Sequence, residues 1–267
     1  MSAMGVSSEP EVSWVGSVSA RARSAAIGTF DGVHLGHRRV IAGADTVITF
    51  SPHPRAVVGQ APPLLHDLER KIDVLARLGV AEIVLIPFDR ELAAMSPTAF
   101  VDRILVEALG VERLAVGSNF RFGHRGRGEV ADLLADRRFE TQVEPLFERE
   151  GGVVSSTRIR ELVAAGEIEE AGRLLGDPLE FRCLVGPGEP GESLSLRWPT
   201  GLVRPASGTY DATVRGADGG TVDARIQLSD TGDRIIAADG PINYGAAVVS
   251  PAREVAAVAR ELVGSVG

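Results

Sequence analysis

Short apolar runs alternate with amphipathic stretches along the first 180 residues. The runs are rich in β-branched and small apolar side chains, which is typical of buried strands. They lie at residues 25–29, 46–50, 80–87, 114–116 and 141–146. Strands that alternate with helices form a mostly parallel, doubly wound sheet, so we predict an α/β fold of the Rossmann-like kind.

The helical stretches carry their own start and stop signals. Asp67 is a suitable N-cap for a helix over 67–78, which Gly79 ends. Ser96 followed by Pro97 starts another helix, whose apolar stripe runs to a stop at Gly110. We predict further helices over 129–136, 156–165 and 167–175, and two helical turns over 38–44.

The composition changes near Phe181, after which glycine and proline become frequent. Alternating runs at 209–214 and 221–228 predict antiparallel strands, and in this part only 253–263 has a helical pattern. We therefore expect three parts, of which the first holds at most a short strand around 12–18. They are a flexible leader over 1–23, an α/β domain over 24–180 and a small antiparallel, barrel-like β domain over 181–267.

Charge and cysteine content narrow the possible partners. A net charge of −8 argues against general binding to nucleic acid or to anionic membranes, so an anionic ligand needs locally placed cations. The single cysteine, Cys183, excludes an intrachain disulfide and fits a reducing cytoplasm, where we expect the protein to lie. Residues 1–20 lack the apolar core of a signal peptide or membrane anchor. The oligomeric state stays open.

Two histidines follow the first predicted strand. His34 and His37, with Gly36 between them, lie where a strand gives way to a helix. Ligands bind at this edge of an open α/β sheet, and the first turn of the helix attracts anions. Imidazoles there can bind a phosphate oxygen and, when protonated, offset developing charge. A lone H-x-G-H is better explained as two ordinary loop histidines, but the ten-residue string GTFDGVHLGH (28–37) is much more specific.

Three further strings carry weaker signals. TFSPHP (49–54) holds His53 between two prolines, and Asn119 precedes a cationic, glycine-rich loop in which Phe120 and Phe122 could stack on a planar ring. SSTRIR (155–160) combines hydroxyls, helix N–H groups and arginines that suit a triphosphate. Alone, these strings are explained equally well or better as an ordinary loop, a surface loop and a serine N-cap. Together, they all fall where this fold class binds ligands.

With these strings, about 150 residues of the chain resemble the adenylyltransferase module of the bacterial bifunctional riboflavin kinase/FAD synthetases. The matching strings run in family order: GTFDGVHLGHR (28–38), TFSPHP (49–54), LERKIDVLARLGV (68–80), FDRELAAMSPTAFV (88–101), VGSNFRFG (116–123) and SSTRIRELVAAGEIEEAGRLLG (155–176). The resemblance implies an enzyme that joins FMN and ATP into FAD and pyrophosphate. The reaction that the resemblance implies needs no protein nucleophile, and Mg²⁺ bridges the phosphates.

The resemblance also implies roles for individual residues. By this resemblance, the catalytic residues are His34, His37, Asn119 and Arg158. By the same resemblance, the residues that bind substrate are Gly28, Thr29, Phe30, Asp31, Gly36, Thr49, Pro52, His53, Phe120, Phe122, Ser155, Ser156 and Thr157. No residue is predicted to hold a metal directly, and the only partners expected are the small-molecule substrates ATP and FMN.

Two departures from the family leave alternatives open. Only eleven residues separate His37 from Thr49, so we expect a truncated helix and a changed nucleotide cleft. The family's kinase module has a G-F-P-T-A-N motif, whereas this chain has LRWPTGL (196–202), so we expect riboflavin kinase activity to be lost. The alternatives are a nucleotidyltransferase with another acceptor or nucleotide, a non-catalytic flavin- or nucleotide-binding protein, and a retained kinase.

Overall fold

The structure, a computed structural model, describes residues 9–188 and 193–254. The chain divides into two compact units, with the division between Ser156 and Thr157. The six parallel strands described in the first unit form one sheet in the order β1-β4-β3-β2-β5-β6. They are β1 (Glu11–Trp14), β2 (Arg23–Ile27), β3 (Thr46–Ser51), β4 (Glu82–Pro87), β5 (Val111–Gly117) and β6 (Glu140–Glu144).

Helices connect these strands and cover both faces of the sheet. They are α1 (Leu35–Ile41), α2 (Pro54–Val58), α3 (Leu68–Arg77), α4 (Arg90–Ala94), α5 (Pro97–Phe100) and α6 (Val130–Ala135). A π-helix, Val101–Ala108, continues α5, and 3₁₀ turns lie at Val15–Ser17 and His124–Gly126. A small ribbon follows β6 and consists of β7 (Glu148–Arg149) and β8 (Gly152–Val153).

Alternate residues of β2 face opposite sides of the sheet, and both sides are buried. Ala25 and Ile27 join a core with Leu105 of the π-helix, whereas Ala26 joins a second core with Val74 of α3. Burial on both faces explains why the strands are nearly continuous apolar runs. The prediction of a doubly wound parallel sheet is confirmed.

The short strand predicted around residues 12–18 forms at β1. It pairs in parallel with β4 at the edge of the sheet, where Val12 lies opposite Ile83. The part of the predicted leader over residues 11–14 is therefore a sheet strand in the structure, and residues 1–8 lie outside the described ranges.

A buried ion pair joins the amino ends of three strands. Arg23 of β2 donates through Nε and Nη2 to the Glu82 carboxylate of β4, at 2.7 and 2.9 Å. Thr46 of β3 donates its hydroxyl to the same carboxylate at 2.9 Å. These hydrogen bonds, Arg23 above all, hold the pKa of Glu82 below its ordinary value. The amino edge of the sheet is thus tied together by paired charge.

The second unit contains a closed antiparallel barrel, as predicted for the C-terminal part. Helices α7 (Ser156–Ala165) and α8 (Ile168–Leu175) precede it, and α8 packs against its last strand. In barrel order the six strands are β10 (Leu194–Arg197), β13 (Asp233–Ala238), β12 (Thr221–Leu228), β11 (Gly208–Gly216), β14 (Gly245–Glu254) and β9 (Phe181–Gly186).

The helix predicted over residues 253–263 is wrong at its start. Arg253 and Glu254 belong to β14, where backbone pairing with β11 continues. Residues 255–263 lie outside the described ranges. Within those ranges, no helix combines the length and the apolar character needed to cross a bilayer.

Candidate functional site

The histidine loop, residues 28–37, comprises the loop after β2 and the start of α1. It crosses the point where the strand order reverses between β2 and β5. In open α/β sheets this switch point is where ligands bind, beyond the carboxyl ends of the strands. Phe30 and Val33 in this loop adopt positive φ angles of 47° and 43°, although both carry side chains and both are buried. Such backbone costs about 1–3 kcal/mol per residue and persists only where the surroundings hold it in place.

The two imidazoles stack at the start of α1. His34 is the N-cap residue, and its Nδ1 accepts from the backbone N–H of His37 at 3.3 Å. The ring centroids are 3.5 Å apart and the rings are nearly parallel, at 16°. Because Nδ1 of His34 is an acceptor, neutral His34 carries its proton on Nε2, which is then a hydrogen-bond donor.

His37 is held in its neutral form. Its ring makes an edge-to-face contact with the Phe30 ring, and the two centroids are 5.3 Å apart. Its Nδ1 is buried with no hydrogen-bond partner among the described residues. Burial lowers the pKa of His37 well below 6.5, and His34, Lys71 and His66 lower it further. An arriving anion would raise this pKa, because it favours the charged imidazolium.

Gly36 allows the backbone at Val154 to approach the imidazoles. A Cβ on this residue would lie 3.2 Å from Cε1 of His34 and 3.6 Å from the carbonyl oxygen of Val154. Ser156, two residues further on, donates its hydroxyl to the carbonyl oxygen of Asp31 at 2.9 Å. The structure thus brings Ser156 to the loop that carries the histidines.

Other predicted residues of the serine-rich segment are placed as follows. Ser155 is half-buried, beside Ser156. Thr157 is exposed and Arg158 is half-buried. Both belong to the second unit, in which Arg158 pairs with Glu170 at 3.0 Å.

Lys71 of α3 secures the loop from beneath. Its Nζ donates to the carbonyl oxygen of Thr29 at 2.9 Å and lies 3.5 Å from the Thr49 hydroxyl, which itself donates to Thr29 at 3.1 Å. Burial lowers the pKa of Lys71 to about 8, although the Asp31 carboxylate opposes the shift. Thr49 is fully buried, and its hydroxyl contacts the Thr29 backbone and the Lys71 side chain.

His66 is a second residue that the sequence reasoning missed. It is buried, and its backbone N–H and that of Leu65 donate to Oδ1 of Asp31 at 3.4 and 2.9 Å. Burial and nearby cations, Arg70 and Lys71 first, lower its pKa to about 3. A histidine directly before the N-cap of a predicted helix, with a lysine just over one turn later, was the available signal.

Asn119 and the loop after β3 lie at the same edge of the sheet. Asn119 is exposed just beyond β5, and its Oδ1 is 3.4 Å from the position a Cβ on Gly117 would take. Pro52 is exposed after β3, and half-buried His53 caps α2 by accepting from the N–H of Arg55 at 3.1 Å. Because β3 and β5 flank β2, these residues lie on either side of the histidine loop.

Of the two predicted stacking aromatics, only Phe120 is partly exposed. Phe122 is buried in the core, where its ring centroid is 5.8 Å from that of Phe100 and 5.9 Å from that of Phe120. His124 lies beyond this aromatic group, with Nδ1 3.0 Å from the carbonyl oxygen of Ala93. Phe122 therefore packs against Phe120 from within the core. Phe30 and Asp31 likewise hold the histidine loop, through the His37 ring and the N–H of Leu65.

The site has the chemistry of an anion-binding site. Imidazoles and a hydroxyl lie at the loop and a buried lysine contacts it, whereas within residues 9–188 and 193–254 no group of three or more His, Cys, Asp or Glu side chains could hold a metal ion. A parallel α/β domain whose carboxyl edge carries the paired imidazoles, followed by an antiparallel barrel, defines the class of this protein.

The family model described as FAD synthetase matches residues 17–158. The chain belongs to the FAD synthetase family.

Two curated relatives are similar to about two thirds of the chain. The chain is 37% identical over 194 residues to the bifunctional riboflavin kinase/FMN adenylyltransferase of Listeria monocytogenes, covering 67% of this chain and 61% of that protein. It is 34% identical over 194 residues to that of Bacillus subtilis, covering 67% and 60%. The chain thus spans about three fifths of the length of these two relatives.

A solved structure, described as a macrolide-efflux protein from Streptococcus pneumoniae, has a similar fold. The TM-score is 0.78 at 24% identity, over 90% of this chain and 88% of that one. At this identity the likeness concerns the fold alone.

Proposed function

We propose that the protein is an FMN adenylyltransferase, which transfers AMP from ATP to FMN and releases pyrophosphate. The observation that carries the proposal is the stacked His34–His37 pair at the switch point, with the Ser156 hydroxyl bound to the same loop. Membership of the FAD synthetase family supplies the two substrates.

The reaction is an in-line phosphoryl displacement. A phosphate oxygen of FMN attacks the α-phosphorus of ATP, the bond to the oxygen that bridges to the β-phosphorus breaks, and pyrophosphate leaves with the bonding electrons. The protein contributes positioning and charge. His34 donates from Nε2 to a phosphate oxygen, His37 stabilises the charge that develops, and Asn119 binds near the α-phosphate.

The remaining substrate contacts are of two kinds, to the triphosphate and to the flavin ring. The hydroxyls of Ser155, Ser156 and Thr157, with Arg158, bind the triphosphate. Pro52, His53 and the exposed side of Phe120 contact the flavin ring. Mg²⁺ would arrive with ATP as part of the substrate, because within the described residues no group of three or more His, Cys, Asp or Glu side chains could hold the ion.

The test is incubation with FMN, ATP and Mg²⁺, with FAD and pyrophosphate both quantified. His37→Ala should lower kcat about 10²–10³-fold, as expected for the loss of a group that stabilises the transition state. The matched control is His124→Gln, because the His124 ring contacts the carbonyl oxygen of Ala93 and has no proposed contact with substrate, and it should keep the wild-type rate. A well-folded wild-type protein that converts neither FMN nor any related flavin phosphate would refute the proposal.

We also propose that the barrel does not phosphorylate riboflavin. Its 196–202 segment departs from the family motif, and its tryptophan contacts the barrel itself. The Trp198 ring lies 4.5 Å from Phe181 between centroids and its Nε1 donates to the carbonyl oxygen of Val203 at 3.2 Å. Riboflavin and ATP should give no FMN in a preparation that makes FAD from FMN. Formation of FMN would establish a retained kinase.

A further inference from the structure

Two buried side chains beneath the histidine loop have no role in the chemistry proposed above. His66 is only 3% exposed, and its segment is tied to the loop by the two N–H donors that reach Asp31. Lys71 is tied to it through Thr29. Both residues therefore lie against the inner side of the loop that carries the imidazole pair.

His66 is unusual because neither ring nitrogen has a hydrogen-bond partner among the described residues. A neutral imidazole carries one donor and one acceptor, and burying either without a partner is costly. Nδ1 of His37 is in the same situation. Two neighbouring imidazoles with unsatisfied nitrogens are typical of a site that a polar ligand completes, because core residues are normally satisfied.

The surrounding charge identifies the kind of ligand. Arg70 and Lys71 act on His66 as positive neighbours, and Lys71 and His66 act in the same sense on His37. The carboxylate that acts on Lys71 is Asp31, whose Oδ1 already accepts two backbone N–H groups. An excess of cationic groups favours a ligand that carries several negative charges.

We propose that His66 and Lys71 form an inner anion-binding pair that contacts phosphate oxygens of the nucleoside triphosphate. His66 donates one ring N–H, and Lys71 uses the third of its ammonium protons, since the other two point to Thr29 and Thr49. The inference rests on the proposed function in so far as the triphosphate is ATP.

Calorimetric titration with inorganic tripolyphosphate, and separately with ATP in the absence of flavin, tests the pair. His66→Leu should raise the Kd for both probes about tenfold or more, as for the loss of a hydrogen bond to a charged group. The thermal unfolding midpoint of the free variant should not fall, because leucine removes two unsatisfied nitrogens. The matched control, His124→Leu, should bind both probes like the wild type.

Two results would overturn the proposed anion-binding pair. One is an unchanged Kd in His66→Leu. The other is a loss of binding free energy matched by an equal loss of unfolding free energy, as expected for a packing residue. Imidazole NMR signals of the wild type give a second readout that does not depend on this variant folding. The His66 signal, assigned with His66→Gln, should shift on addition of tripolyphosphate, and a stationary signal contradicts the inference. Normal ATP binding and FAD synthesis in His66→Leu would overturn this inference alone, whereas a wild type that binds neither probe refutes the proposed function as well.

Discussion

At the scale of single residues, the burial of His66 couples stability to pH. Its pKa is about 3 in the folded protein and about 6.5 in a free side chain, so the unfolded chain binds more protons between these values. Stability therefore rises with pH across this window and falls on acidification.

We expect His66→Leu to flatten this dependence. Removing one such group should reduce the slope of the unfolding free energy by up to about 1.4 kcal/mol per pH unit between pH 6 and 4. Urea unfolding at several pH values, with wild type and variant side by side, measures the slope. Parallel curves would show that His66 takes up its proton as easily in the folded state.

Gly36 is the residue whose missing side chain shapes the site. We expect Gly36→Ala to lower the rate of FAD formation about tenfold or more, because the new Cβ would press on the His34 ring and displace a positioned group. Gly16→Ala is the control, since a Cβ there meets nothing within 4 Å. Steady-state assays and unfolding curves of both variants make the comparison, and equal rates would contradict the crowding argument.

At the scale of elements, the two edges of the parallel sheet differ in composition. The amino ends of β2, β3 and β4 hold the Arg23–Thr46–Glu82 cluster, and the carboxyl ends lead into the histidine loop and its neighbours. A buried, paired charge cluster lies at one edge, and the candidate chemistry lies at the other.

Glu82→Ala should therefore destabilise the protein without changing the KM for ATP. It leaves the buried Arg23 guanidinium without its carboxylate, which costs about 3–5 kcal/mol. Asp102→Ala removes a partner of Arg138 in a half-exposed pair and should cost less than about 1 kcal/mol. Denaturant unfolding ranks the two variants. A raised KM in folded Glu82→Ala would show that the edges are coupled.

Local sequence signals predicted the elements that depend on neighbouring residues. They did not predict the features that depend on contacts between distant parts of the chain. Helix α7 and strand β12 have the predicted boundaries, because caps and alternation are properties of neighbouring residues. The π-helix Val101–Ala108 and the edge position of β1 depend on packing against distant parts of the chain. The burial of Lys71 was missed for the same reason: its partner Thr29 lies 42 residues away. The roles of the predicted site residues stay predictions until they are tested.

At the scale of the whole molecule, a single thiol lies in the barrel. Cys183 on β9 is buried, and burial, with a smaller effect of Asp233, raises its pKa to about 12. We expect almost no reaction with a disulfide reagent at pH 8 in the native protein, since the thiolate is the reactive form. One equivalent should react after unfolding in guanidinium chloride. Rapid labelling of native protein would contradict the buried placement.

An unreactive native thiol also makes the chain a ready background for site-specific labelling. A cysteine introduced at Val58, whose side chain is 63% exposed at the end of α2, would present a single accessible sulfur to a maleimide dye. Because α2 follows the proline-rich loop after β3, fluorescence from that position would follow the loop during ligand uptake while every natural residue of the site stays in place.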